Sequence, residues 1–240
     1  MRGIAINVGA NTNEPGFRGP IDTDGRFEYV PIPESEPTRP DVDVPTYKQL
    51  DLQIDVSQVA DTAVHLDPTF AGVHGSSAYT YGDPHGVKAG PLSELEAGDF
   101  VFFYATLSTA TDEPPEWVAP RWGAYVIGHF RLATDPVTVE TPTELTPTER
   151  EHFANNAHLK RDPFDAKVLL YGDPDGSALY DVAVPLSSRE AGVDANCLVT
   201  GLSSDSGKGP WWRRPMQFDE RGTETLLELE RTGNRDRPFE

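Results

Sequence analysis

The segment His65-Leu-Asp-Pro-Thr-Phe70 sets an imidazole two residues before a carboxylate. On an extended strand residues i and i+2 share a face, so His65 and Asp67 could act as a base and the group that orients it. An Asp-Pro pair is also an ordinary turn starter, and a histidine in an apolar stretch is usually packed or satisfied. A second group is NNAHLKR, Asn155 to Arg161, which gathers two amides, an imidazole and two cations. The amides of Asn155 and Asn156 could read a base edge, and Lys160 and Arg161 suit phosphate. His158 joins His65 and Asp67 as a third acid–base candidate. The competing reading is a helix C-terminus, where asparagine caps and cations complement the dipole.

Two further segments carry recognition chemistry. In GPIDTDGRF (Gly19 to Phe27), Asp24-Gly25 predicts a tight hairpin, and its loop amides with Arg18 or Arg26 could hold a phosphate. In GKGPWWRRP (Gly207 to Pro215), Trp211 and Trp212 could stack on bases while Arg213 and Arg214 add planar cations. The plainer alternative packs one tryptophan inward and pairs the arginines with carboxylates. NVGAN, after the first strand, lacks both the dinucleotide fingerprint and the phosphate-loop lysine, so no ATP or NAD site and no cofactor is expected. The six histidines are scattered, and His152 and His158 are six apart rather than an i, i+4 pair. Only the loop between His74 and His85 could bring that pair to Asp83, and no metal site is expected.

The whole sequence has 240 residues, 39 of them acidic and 20 basic, for a net charge of -19. Only five of the cations are lysines. Dense carboxylates with few lysines suit molar salt, where a Debye length of about 3 Å silences self-repulsion. In such salt, phosphate contacts weaken while stacking planes keep their grip, which favours Trp and Arg over lysine clusters. With 37% hydrophobic and 10% aromatic residues the chain can build a core. Cys197 is the only cysteine, so no internal disulfide forms; its flanks, DANCLVTG, predict a buried strand edge and an inert thiol. MRGIAINVGAN is too soon interrupted for a signal peptide and no run suits a membrane span, so a cytoplasmic protein without membrane partners is expected.

The elements that must position these residues are strands first. GIAINV (3–8), FEYVPIP (27–33), VFFYATL (101–107), WGAYVIGHFRL (122–132) and KVLLYG (167–172) have strand composition. Residues 34–47 are proline-rich and acidic and predict an ordered surface loop, whose part at 34–43 could contact a basic partner. Thr146, Pro147 and Glu149 spell a helix start, with NNAHLKR closing that helix. GSALYDVAVPL is expected to contain a short helix, and DERGTETLLELERT a longer one within a tail spanning 203–240. Together they predict an α+β protein, one domain over residues 1–240.

The turn LSELEAGD feeding FVFFYATL, followed by YVIGHF, resembles the strands of PUA-like and EVE-like domains. Adding GPIDTDGRFEYVPIPE, HLDPTF, TYGD, NNAHLKR and YGDPDGSALYDVAVPLS in that order, residues 3–190 resemble the nucleotide modification associated domain 3 family. The resemblance implies a curved, mainly antiparallel sheet or small PUA-like barrel with peripheral helices. It also implies a role in nucleotide modification, with a modified base or nucleotide in RNA or DNA as the expected partner. Two alternatives stand beside such a binder: an enzyme working on the base or a precursor through His65, Asp67 and His158, and an acidic protein-interaction module.

Overall fold

The computed structural model describes residues 1–239. In chain order its strands are β1 (Gly3–Asn7), β2 (Pro20–Ile21), β3 (Ile32–Pro33), β4 (Val64–His65), β5 (Thr80–Asp83), β6 (Phe100–Thr109), β7 (Trp122–Arg131), β8 (Val168–Tyr171), β9 (Ala178–Pro185) and β10 (Met216–Phe218). The α-helices are α1 (Gly86–Ser93), α2 (Pro147–His152), α3 (Ala157–Lys160), α4 (Cys197–Leu202) and α5 (Glu220–Thr232). The chain divides into two compact units.

Unit 1 comprises Met1–Val30, Phe100–His129 and the chain from Leu179 onward. Its sheet has the order β10-β1-β6-β7-β9, with β2 also pairing β6. β1 runs parallel to β6, from Gly3 opposite Phe100 to Asn7 opposite Tyr104, and antiparallel to β10. Phe100 to Leu107 of β6 are buried at every position, as expected of an apolar run covered on both faces. α5 starts where the Asp219 side chain accepts the Gly222 N–H at 2.8 Å and buries Leu226 and Leu229. Gly233, at φ 71, closes it in the left-handed conformation that glycine adopts without a Cβ penalty.

Unit 2 comprises Pro31–Asp99 and Phe130–Ala178. It holds two short antiparallel ladders, β3–β4 with Ile32 opposite His65 and β5–β8 with Asp83 opposite Val168. A core of Leu145, Phe153, Ala166 and Leu169 lies under α2 and β8. Phe70, Tyr79 and Phe130 form a second, edge-to-face aromatic group with centroids 5.5 to 6.4 Å apart.

The mixed α and β content agrees with the expected class, but none of the described sheets closes into a barrel. Local readings divide in an instructive way. β1, β6, β7, β8 and the capping box of α2 lie where composition puts them, and Thr146 and Glu149 satisfy each other's backbone as expected. Of residues 27–33 only Ile32–Pro33 form a strand, and Phe27 makes an isolated bridge to Ile21; Pro31 and Pro33 bring no N–H that could extend the ladder. GSALYDVAVPL is strand β9, not helix; Tyr180, Val182 and Val184 alternate along it and suit a pleated surface. DANCLVTG is helix α4, not a strand edge: the Asn196 side chain accepts the Leu198 N–H and caps it, leaving Cys197 exposed rather than buried. NNAHLKR does not end α2. Asn156 instead caps the start of a separate short helix, α3.

Candidate functional site

Unit 2 gathers His65, Asp67 and His158 at one buried point, 93 residues of chain notwithstanding between the first and last of them. One ligand-type atom from each lies within 4.8 Å of the others, and the two imidazole rings meet edge to face at 4.8 Å between centroids. His65 comes from the end of β4, and Asp67 from the turn that follows it. His158 comes from the first turn of α3, placed by the Asn156 cap.

Each imidazole is held from behind. His65 Nδ1 lies 2.7 Å from Glu34 Oε2, and His158 Nδ1 lies 2.7 Å from Asp165 Oδ1. A carboxylate accepts only, so each ring donates from Nδ1; His65 Nδ1 also lies 3.0 Å from Arg161 Nη2, and His158 turns Nε2 toward Asp67. His158 Nε2 is 3.6 Å from Asp67 Oδ2. The Arg161 guanidinium joins the two supports, donating from Nη2 to Glu34 at 2.7 Å and from Nη1 to Asp165 at 2.6 Å. Asp67 is fixed in turn by the Gly82 N–H, 3.1 Å from each carboxylate oxygen, and by Asn156 Nδ2 at 2.8 Å.

The charges are strongly coupled. Burial pulls the His158 imidazole down, but its hydrogen bond to Asp165 and the charges of Asp67 and Asp165 outweigh that and raise it to about 9. Burial raises Glu34 and Asp165, yet hydrogen bonds from His65 and Arg161 to the first, and from His158 and Arg161 to the second, bring each down to about 2. Gly82 permits the packing: a Cβ there would lie 2.6 Å from His158 Cδ2. Two cavities lie against residues that support the group rather than against His65, Asp67 or His158 themselves. One of about 210 Å³ is lined by Thr80, Asn155, His152 and Tyr171, and Thr80 Oγ1 accepts from the same Asn156 amide that holds Asp67. An open one of about 550 Å³ is lined by Asp165, Phe164, Lys167 and Glu144.

The chain thus brings together His65, Asp67, His158, Asn156 and Arg161 of the residues singled out by sequence. Asn156 is fully buried and spends its amide on Asp67, Thr80 and the α3 cap, and Arg161 spends its guanidinium on carboxylates. Asn155 is exposed on the smaller cavity, and Lys160 donates to the Asp43 carbonyl at 2.9 Å. Arg26, Trp211, Trp212, Arg213 and Arg214 belong to unit 1. There Trp211 is buried with its indole N–H on the Val193 carbonyl, and Arg214 pairs with Asp205 at 2.8 Å. Trp212 is half-buried, edge-on to Trp122 at 5.3 Å, and the Arg18 guanidinium lies 4.5 Å over the Trp122 ring. Arg26 and Arg213 are exposed. The hairpin around Asp24 is turn chemistry, with Asp22 accepting the N–H groups of Asp24 and Arg26. Sequence reasoning passed over Glu34, Asp165 and Gly82. Glu34 looked like part of the acidic loop, and only the β3–β4 register reveals its place beside His65.

Residues 2–228 match the model of the nucleotide modification associated domain 3 family. The chain belongs to that family. The match takes in the whole of unit 2 and extends past the ordered motifs to include Gly207–Pro215. No curated protein and no solved structure matches this nucleotide modification associated domain 3 chain. Among its described residues no helix is long and apolar enough to cross a membrane.

Proposed function

We propose that this chain is an enzyme of nucleotide modification whose reaction centre is the His65–Asp67–His158 cluster, acting on a base or a nucleotide precursor. The observation that carries this reading is the convergence of those three side chains, each oriented by its own dedicated partner. A reader of bases needs donors and acceptors displayed to solvent. This cluster instead invests buried carboxylates, a guanidinium and a backbone N–H in holding reactive groups still, which is the form that preorganised catalysis takes. The two bordering cavities supply room for a planar base beside the cluster's supports, with Asn155 and Lys167 at their walls.

The test is mass spectrometry of nucleosides after purified protein, supplied with divalent metals, is incubated with RNA, DNA and free nucleotides. A new nucleoside mass that disappears with Asp67→Asn supports the reading. No mass change in any pool, with oligonucleotide binding intact, overturns it in favour of base recognition. That second reading has its own observation in unit 1, where Trp212, Trp122 and Arg18 form an aromatic–cation group beside exposed Arg213. Quenching of tryptophan fluorescence by oligonucleotide, persisting in high salt, would support it.

A further inference from the structure

We propose that His65, His158 and Asp67 form a binding site for one divalent first-row transition metal ion, with two imidazole nitrogens and one carboxylate as its ligands. The proposal deepens the reading of this cluster as the reaction centre and rests on the same residues. It is carried by four features of their surroundings.

The first is the pattern behind the rings. A metal-bound imidazole nearly always donates its second ring N–H to a carboxylate or carbonyl, which fixes the tautomer and raises the ligand's basicity. Both histidines here have that arrangement, His65 with Glu34 and His158 with Asp165, at 2.7 Å each. A packed histidine needs one such partner at most; two meeting face to edge, both backed by carboxylates, is the arrangement of a ligand pair.

The second is the carboxylate between them. Asp67 takes its hydrogen bonds from Gly82 and Asn156, a backbone N–H and a neutral amide, while one of its oxygens lies 3.6 Å from His158 Nε2. A carboxylate supported by neutral donors keeps its charge for a cation.

The third is charge. Glu34, Asp67 and Asp165 bring three carboxylates, and Arg161 is the guanidinium bonded to two of them. A metal ion bound at His158 Nε2 takes the place of the proton that nitrogen otherwise shares with Asp67; three carboxylates against Arg161 alone then leave a surplus of two negative charges, which one divalent ion cancels. Buried carboxylates without compensation are costly, so a cation of that charge stabilises the folded unit.

The fourth is space. Ligand bonds of about 2.0–2.2 Å place any two donors within about 4.4 Å of each other. The present spread of 4.8 Å closes to that by small side-chain rotations. Two nitrogens and one oxygen favour zinc, iron or cobalt over magnesium or calcium, which prefer all-oxygen sites. Three protein ligands also leave coordination positions open, the property that separates catalytic from structural metal centres.

The experiment uses the whole chain stripped of metal with a chelator and titrated with Co²⁺ and, separately, Zn²⁺. The expected result is one equivalent retained through gel filtration, a raised melting temperature, and visible absorption bands in the Co²⁺ form. Asp67→Asn and His158→Ala should lose retention, while His152→Gln, outside the cluster, should keep it. Because a variant in a buried cluster can misfold, the wild-type Co²⁺ protein gives an independent readout by proton NMR in water. Two strongly shifted, exchangeable imidazole N–H signals are expected, protected by Glu34 and Asp165. Absence of retained metal, retention unchanged in both variants, or a Co²⁺ form lacking those signals would overturn the proposal. Metal binding without any nucleoside conversion would leave the metal site standing and remove the enzymatic reading; conversion by chelated protein would do the reverse.

Discussion

At the scale of single residues, Arg161 and Gly82 carry the most testable weight. Arg161 is the cation between Glu34 and Asp165, so Arg161→Ala leaves the buried Glu34 and the half-buried Asp165 carboxylates each short of a partner. Removing one member of such a network costs about 3–5 kcal/mol, and urea unfolding of the metal-free protein should show a loss of that size. Gly82→Ala drives a methyl to 2.6 Å from the His158 ring. We expect that variant to lose about 1–3 kcal/mol, as overpacked cores do, and to lose nucleoside conversion. Of the cluster, HLDPTF and NNAHLKR were readable because i, i+2 spacing and residue type survive in one dimension. Glu34 and Asp165 were not. Their function lies in which ring each touches, and ladder register with loop closure decides that.

At the scale of elements, the informative case is α3. Asn156 accepts the His158 N–H with its carbonyl oxygen and donates from its amide nitrogen to Asp67. Asn156→Asp keeps the cap and replaces the donor with a carboxylate oxygen facing Asp67, whereas Asn156→Ala removes both. Loss of an N-cap costs about 0.5–2 kcal/mol. Ala at this position should therefore lower both stability and conversion, while Asp should abolish conversion with the α3 cap retained. Thermal melts read beside nucleoside mass spectrometry separate the two roles. The misread elements share a physical cause. The asparagines of DANCLVTG and NNAHLKR each cap a helix of one to two turns, too short for periodicity to declare itself. β9 is legible as strand only once its β-branched alternation is weighed above its helix-tolerant ends.

For the molecule as a whole, charge and buried hydroxyls set the conditions it tolerates. With a net charge of -19, we expect the melting temperature to climb as potassium chloride is raised toward molar levels; a flat series would end the high-salt reading. On the alkaline side, burial raises Tyr104, Tyr125 and Tyr180 in unit 1, Tyr125 to about 12 from 10.0. The folded state therefore holds these protons more tightly than the unfolded one. Stability is full below about pH 10 and falls as pH rises toward 12. Melts followed by tyrosinate absorbance should show ionisation and unfolding arriving together.

The chain order of the two units has a consequence for synthesis. Every residue of the buried cluster lies between Glu34 and Asp165, and unit 2 is complete in sequence at Ala178. Unit 1 still awaits nearly all of β9, together with α4, β10 and α5, at that moment. On the ribosome, then, the side chains that meet around Asp67 are all delivered while the larger sheet lacks its outer strands. The nascent centre can gather its ion and settle before the rest of the protein has been made.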